Sequence, residues 1–232
     1  MKWLIQEPLH SQRRVDARRG FLTNDGDTTY HFLYRGVDFI FLDNGDGQAF
    51  TSEQITWLSR VLAADSEDAS VKTIVVGMHA ALPYSTAGAH AMDYSCQGRC
   101  SGEQVYDMLV RAQNLSAPPE KHKHMFVFAS HMHYFAENVF DTPEHHGQVL
   151  PGWIVGTGGA EQKATPIRYG YVLVEVRPDG TLDVEFKEVT RDSPPLASGP
   201  GANNLTEYCF ASNKSGVRVP PDPGPCPCGS AH

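Results

Sequence analysis

The sequence lacks an apolar segment long enough to cross a bilayer, and it lacks the basic surplus that is typical of nucleic-acid-binding domains. Its 27 acidic residues outnumber its 19 basic residues, and the formal net charge is −8. Met1–Gly20 is rich in arginine and has no apolar core of a signal peptide. We therefore expect no membrane segment and no nucleic-acid surface. The compartment stays unknown, with secretion or a periplasmic location as the alternative if the gene encodes a signal peptide further upstream.

Cysteine is scarce, and its arrangement does not predict a zinc ribbon. The chain has five cysteines, an odd number, at scattered spacings. Cys96 and Cys100 fall in one predicted loop, where they either pair with each other or remain free thiols. Residues 191–232 are dominated by proline, glycine, serine and asparagine, which predicts a disordered tail. Residues 1–28 form an ill-defined N-terminal segment, so residues 29–190 make up the predicted domain.

The central part of the chain alternates short apolar runs with amphipathic segments, as in βαβ units. Apolar runs predict buried parallel strands at Val37–Leu42, Thr73–Val76 and Met125–Phe128. Helical periodicity predicts helices at Ser52–Leu62 and Glu103–Asn114. A long polar loop is expected over 80–102, and Pro178-Asp179-Gly180 predicts a hairpin turn. The fold class is therefore α/β, with a sheet that needs cover on both faces.

Histidines follow two of these strands directly. His79 follows the second strand, and His131 and His133 follow the third. Ligands of open α/β sheets bind beyond the carboxyl ends of the strands, so the three imidazoles are placed where a site would form. A His-x-His pair alone is a weak signal in a chain with 11 histidines. A second pair, His122 and His124, precedes its strand in a charged segment and is interpreted as solvated surface.

Five segments in register strengthen this interpretation: Phe39–Asp43, Thr51–Leu58, Val75–His79, Ser130–His133 and Trp153–Gly159. Together they resemble the second half of calcineurin-like metallophosphoesterases, including the purple-acid-phosphatase-like branch. The resemblance implies a partial four-layer sandwich of mixed β-sheets flanked by helices, with the N-terminal half of the domain missing. It also implies that the glycine-rich turn near Gly156 lies close to the active site.

The resemblance further implies a dinuclear centre of iron, manganese or zinc that hydrolyses phosphate esters. His79 and His131 would bind one metal ion and His133 the other. Serine at position 130 replaces the family's glycine. The three aspartate- and asparagine-bearing motifs of the family's first half are absent, so no catalytic residue is assigned. We expect a phosphorylated small molecule or another phosphoester as substrate, and we expect this chain alone to be inactive.

Three alternatives remain beside this interpretation. The chain could be a degenerate relative that acts only as a binding or structural module. It could instead be an unrelated single-metal protein whose fourth ligand comes from His10, His31 or His90. Finally, the spacing of Asn44, Asp46, Gly47 and Glu53 partly matches a calcium loop, although Leu42 would occupy that loop's first ligand position.

Overall fold

The computed structural model describes residues 20–21, 28–45, 49–159, 162, 168–189, 226 and 228. Within these ranges no helix has the length and apolar character needed to cross a membrane. The predicted N-terminal segment 1–28 and the predicted disordered tail 191–232 fall almost wholly outside the described residues. The remaining part of the chain forms a mixed α/β fold.

A seven-stranded mixed sheet is the centre of the fold. Its strands, in chain order, are β1 (Gly20–Phe21), β2 (Tyr30–Tyr34), β3 (Val37–Phe41), β4 (Thr73–Met78), β5 (His124–Ala129), β6 (Phe135–Glu137) and β7 (Gly152–Val155). Their spatial order is β1-β2-β3-β4-β5-β7-β6. The four central strands β3, β4, β5 and β7 run parallel, and the outer strands pair antiparallel. The predicted parallel βαβ arrangement is therefore confirmed.

Two helices connect the parallel strands and cover one face of the sheet. Helix α1 spans Ser52–Glu67, and the Thr51 side chain caps its N-terminus by accepting a hydrogen bond from the backbone N–H of Gln54. Helix α2 spans Cys96–Ala112 and is capped in the same way by Ser95. The core under the helices contains residues that are almost fully buried, among them Ile40, Leu58, Ile74, Leu109 and Met125.

The segment between β4 and α2 differs from the prediction. It was expected to be a long polar loop over 80–102, but α2 already begins at Cys96, and two 3-10 turns span Gly88–His90 and Met92–Tyr94. Much of the segment belongs to the hydrophobic core, since Leu82 and Met92 are fully buried. The many small and polar residues of this segment resemble a loop in the sequence, but its alanines and a few large side chains face the core.

The cysteine prediction was wrong in both of its forms. Cys96 bonds to Cys226 and Cys100 bonds to Cys228, so these two cysteines neither pair with each other nor remain free. They stand four positions apart in the first turns of α2, on one face of the helix, and they meet a Cys-x-Cys segment near the C-terminus. Two bonds thus attach residues 226 and 228 to α2.

The opposite face of the sheet is aromatic and only half-buried. Tyr30, Phe32, Phe39 and Phe41 stack on one another across β2 and β3. A separate antiparallel hairpin of β8 (Tyr169–Val176) and β9 (Leu182–Val189) meets this side of the sheet. Sheet and hairpin together enclose a mainly apolar cavity of about 710 Å³. The hairpin therefore covers the second face only in part.

Two contacts fix the hairpin to the sheet. The Thr73 hydroxyl donates a 2.6 Å hydrogen bond to the carbonyl of Gly180, at the tip of the hairpin. Near the other end, the rings of Phe135 and Phe186 stack with centroids 4.3 Å apart. Between these points Tyr171 and Leu173 remain more than half exposed. The hairpin thus exposes several apolar side chains of its own.

Candidate metal centre

The candidate centre lies at the carboxyl ends of the neighbouring parallel strands β4 and β5. His79 follows β4 directly, and Ser130 and His131 follow β5. The backbone N–H groups of Ser130 and His131 both donate to the carbonyl of His79, at 2.9 and 2.7 Å. Because the two strands run side by side in the same direction, these hydrogen bonds hold the two histidine-bearing segments in contact.

Asn44 fixes the backbone of His79 from the third neighbouring strand. It follows the end of β3 and is fully buried. Its Oδ1 accepts hydrogen bonds from the N–H groups of His79 and Ala80, each at 2.9 Å. Its Nδ2 donates to the carbonyl of Ala80 at 2.8 Å and contacts the sulfur of Met92 at 3.2 Å. The amide therefore uses both ends to hold the peptide that carries the first histidine.

The rings of His79 and His131 meet at hydrogen-bond distance. Nε2 of His79 lies 2.7 Å from Nδ1 of His131, so one of the two nitrogens carries the proton between them. Two nitrogen ligands of one tetrahedral ion, each about 2.0–2.1 Å from it, stand about 3.3 Å apart. The observed contact is about 0.6 Å shorter than this, so the rings would have to move apart to bind one ion, and the exposed His79 ring has room to do so. The donor chemistry of the pair is compatible with a metal ion.

His90 is a third imidazole in contact with this pair. Its Nδ1 lies 3.2 Å from Nε2 of His131, so both ring nitrogens of His131 face another histidine. His90 ends the 3-10 turn Gly88–His90 in the segment between β4 and α2. Within that segment, the backbone N–H of Tyr84 donates to the Asp93 carboxylate at 2.7 Å. The Thr86 N–H donates to the Val139 carbonyl at 2.8 Å and so links the segment to the rest of the fold.

The electrostatics of the cluster favour a neutral His131. Its burial, together with the neighbouring His79, His90 and His133, lowers the pKa of the His131 imidazole to about 4. A histidine binds a metal ion through an unprotonated nitrogen, so protons compete weakly for this ring even in mild acid.

His133 belongs to the same surroundings, but its ligand role stays a prediction. It is half-buried and near enough to His131 to contribute to the lowered pKa of that ring. Among the described residues, no three histidine, cysteine or carboxylate side chains already surround one point as metal ligands would. The structure thus brings His79 and His131 together, adds His90, and leaves the convergence of His133 with them untested.

The loops around the centre explain two features of the sequence. Gly156 stands where a Cβ atom would lie only 1.8 Å from the carbonyl oxygen of Met132, so a side chain cannot be accommodated without movement of the 130–133 segment. The glycine-rich turn near Gly156 therefore lies beside the candidate centre, as expected. Ser130 is not among the described residues with a left-handed backbone, so serine is compatible with this position despite the family's glycine.

The other candidates lie elsewhere or serve other roles. His31 pairs with Asp38 at 2.7 Å, near the opposite end of the strands, and His10 lies outside the described residues. His122 and His124 were expected to be solvated, but both are half-buried, and His122 contacts the Ala117 carbonyl at 2.7 Å.

The calcium alternative is not supported by the residues that the structure describes. The amide of Asn44 points inward to hold the backbone, and Leu42 at the first ligand position is buried. The remaining loop positions 46 and 47 lie outside the described residues.

Sequence reasoning missed Asn44 as a member of the site, and it named His90 only among three possible fourth ligands of the single-metal alternative. The rule that identified His79 would also have found Asn44, since each follows the carboxyl end of a parallel strand. His90 has no comparable signal, because its position depends on the path of the irregular segment after His79.

Comparisons with known proteins bear on the fold. No protein-family model and no curated protein matches the chain. Among solved structures, it is similar to the purple acid phosphatase PPD1 from yellow lupin (Lupinus luteus) seeds, with a TM-score of 0.50 and 19% sequence identity. The match covers 72% of this chain and 31% of the lupin chain, so this chain spans about a third of that protein's length. The likeness shows a partial metallophosphoesterase-like fold.

Proposed function

We propose that this chain provides the histidine ligands of a dinuclear metal centre that hydrolyses phosphate esters in the intact domain. The observation that carries the proposal is the 2.7 Å contact between His79 and His131 at the carboxyl ends of adjacent parallel strands. The likeness in fold to a phosphatase supports the reaction class, although fold alone does not determine function.

The residues of the chain have distinct tasks in this proposal. His79 and His131 would hold one ion and His133 the other, while Asn44 orients the peptide of His79. The bound ions, iron, manganese or zinc, would supply Lewis-acid activation of the phosphate and of water. A neutral His131 remains available as a ligand in acid, because its pKa is lowered to about 4 by burial and by its histidine neighbours.

Among the described residues, no carboxylate completes a ligand set with the histidines. Asp43 follows β3 and lines the same cavity as His79 and Ser130, but its Oδ1 accepts a hydrogen bond from the Gly45 N–H. Bridging carboxylates bring two cations together by neutralising their charge, so imidazoles alone make a poor two-metal site. We therefore propose that the chain alone has little or no activity on phosphorylated small molecules or other phosphoesters.

A mononuclear site is the second candidate, and His90 is the observation that favours it. His79, His131 and His90 form a continuous row of imidazoles with contacts of 2.7 and 3.2 Å. Three histidines and a water molecule are a sufficient set for one zinc ion. His131 faces its two neighbours with different ring nitrogens, so the rings would have to turn for all three to reach one ion. In that case the chain would bind a single ion, and His90→Ala would weaken binding more than His133→Ala.

The two disulfides support a location in an oxidising compartment. Cys96–Cys226 and Cys100–Cys228 would not persist in a reducing cytosol. We propose that the protein works outside the cytosol, in keeping with the secreted or periplasmic alternative.

Metal stoichiometry and turnover of an aryl phosphate test these proposals together. The purified oxidised chain is dialysed against manganese, zinc or iron, and bound metal is counted in the wild type, His79→Ala, His131→Ala, His133→Ala, His90→Ala and the exposed control His146→Ala. Metal binding that depends on His79 and His131, with negligible turnover, supports the main proposal. Robust turnover abolished by His133→Ala would show that the site is complete in this chain. Absence of metal binding would support a degenerate binding module instead.

A further inference from the structure

A second cluster of titratable groups lies at the opposite end of the sheet from the histidines. Asp38, near the start of β3, is 1% exposed, and Asp65, in the last turn of α1, is 5% exposed. Asp38 shares the helix-covered face of the sheet with Ile40, and Asp65 continues the buried side of α1 after Val61 and Leu62. Two carboxyl groups are thus buried where α1 packs on β3.

Among the described residues, one oxygen of Asp38 and one oxygen of Asp65 are buried without a hydrogen-bond donor. Asp38 Oδ2 is engaged by the His31 ring nitrogen at 2.7 Å. The remaining oxygens, Asp38 Oδ1 and Asp65 Oδ2, are buried and meet no donor among the described residues, although the two carboxyl groups lie within hydrogen-bonding reach of each other. A single proton placed between these two oxygens satisfies both of them at once.

We propose that Asp38 and Asp65 share one proton between their facing carboxyl oxygens, and that this shared proton stabilises the contact between β3 and α1 in a pH-dependent way. With the proton present, Asp65 donates to Asp38, and Asp38 also bonds to His31. Without it, two carboxylates face each other in a buried site, where like charges repel strongly. The hydrogen bond between the two carboxyl groups is present in acid and neutral solution and is lost in mild alkali.

Some charged groups around the pair lower the pKa of Asp65 and others raise it. Lys123 before β5 is the nearby cation, the His31 ring on β2 contacts Asp38, and Glu67 and Asp68 at the end of α1 are further anions. Lys123 donates to the carbonyls of Asp68 and Val71 at 2.8 and 2.7 Å, so its ammonium is directed at the end of the helix. The C-terminal end of a helix dipole also disfavours a negative charge on Asp65.

The direction of the pH effect follows from these surroundings. Burial, followed by the charge of Asp38, raises the pKa of Asp65 to about 8, from 3.8 in an unfolded chain. A folded-state pKa above the unfolded value gives stability that is fully present below 3.8 and is lost progressively as the pH rises towards 8.

Comparison of the wild type with Asp65→Asn tests the proposal, because the asparagine amide donates to Asp38 at every pH. Urea unfolding is measured between pH 6 and 8 for both proteins and for the exposed control Asp141→Asn. The unfolding constant of the wild type should rise relative to Asp65→Asn by up to about tenfold per pH unit. Parallel curves for the wild type and Asp65→Asn would overturn the proposal.

A measurement on the wild type decides the matter even if Asp65→Asn does not fold. Carbon-13 spectra of protein labelled at aspartate carboxyls should show one buried carboxyl that stays protonated at pH 6 and titrates in mild alkali. A full set of aspartates ionised by pH 6 would refute the shared proton. Neither measurement depends on the metal centre, so its result is separate from the fate of the proposed function.

Discussion

Replacement of Asn44 by alanine should both destabilise the fold and loosen the candidate metal centre. The side chain is fully buried and serves three backbone groups: the N–H of His79, the N–H of Ala80 and the carbonyl of Ala80. An unsatisfied buried polar group costs about 1–3 kcal/mol. Water entering the vacated space can satisfy part of this set, so we expect a total loss of about 3 kcal/mol, near the sum of the lower limits.

The effect on metal binding follows from the same hydrogen bonds. Without Asn44 the backbone at His79 is held only through its carbonyl, so the approach of the ring to His131 is fixed less firmly. Groups that orient a metal ligand contribute about 10–100-fold to affinity, so zinc binding should weaken by at least about tenfold. Asn44→Asp keeps an acceptor for the two N–H groups but loses the donor to Ala80, so its effects should be intermediate.

Urea unfolding followed by far-ultraviolet circular dichroism, together with zinc titration calorimetry, measures both quantities. Ser59→Ala is a suitable control, since Ser59 is exposed and bonds only within α1. A stability loss for Asn44→Ala no larger than that of the control would refute the reasoning. Unchanged zinc affinity would show that Asn44 does not orient His79.

Three further predictions concern the surroundings of the site. Reduction of the disulfides should lower stability by up to about 4–5 kcal/mol, because Cys96–Cys226 closes a loop of 130 residues in the unfolded chain. Cys228→Ser should cost much less, since the remaining bond still closes that loop. Equal losses of stability for reduction and for Cys228→Ser would contradict this reasoning. Gly156→Ala should destabilise the fold by about 1–3 kcal/mol through the clash with the Met132 carbonyl, whereas Gly158→Ala, which meets no atom within 4 Å, should be nearly neutral. Finally, the half-covered aromatic face and the exposed hairpin should bind an apolar dye and broaden the urea unfolding transition. A soluble monomer with one sharp transition and no dye binding would show that the domain is self-sufficient.

The parallel strands and their histidines were predictable because the signals are local. β3, β4 and β5 are short apolar runs, and the polar residues that follow them mark the carboxyl edge of the sheet without knowledge of distant contacts. The observed strands begin or end within one or two residues of the predicted ones, as at Thr73–Met78. The α/β class and the position of His79 beside His131 follow from this pattern.

The features that were missed depend on contacts between distant parts of the chain. The start of α2 at Cys96 rests on the Ser95 cap, but the residues after it include two glycines, which weaken the helical pattern. The disulfide partners of Cys96 and Cys100 lie about 130 residues away, and spacing alone cannot identify them. His90 reaches His131 only because the intervening segment folds back into the core.

Zinc binding measured by titration calorimetry in wild type, His79→Ala, His131→Ala and the exposed control His146→Ala tests the central claim most directly. The claim is that His79 and His131 are ligands of one metal ion, supported by the 2.7 Å contact between their ring nitrogens. The account predicts that each of the two substitutions weakens binding by more than about 100-fold, beyond the usual effect of an orienting group, while His146→Ala binds like the wild type. Wild-type affinity in either His79→Ala or His131→Ala would contradict the account.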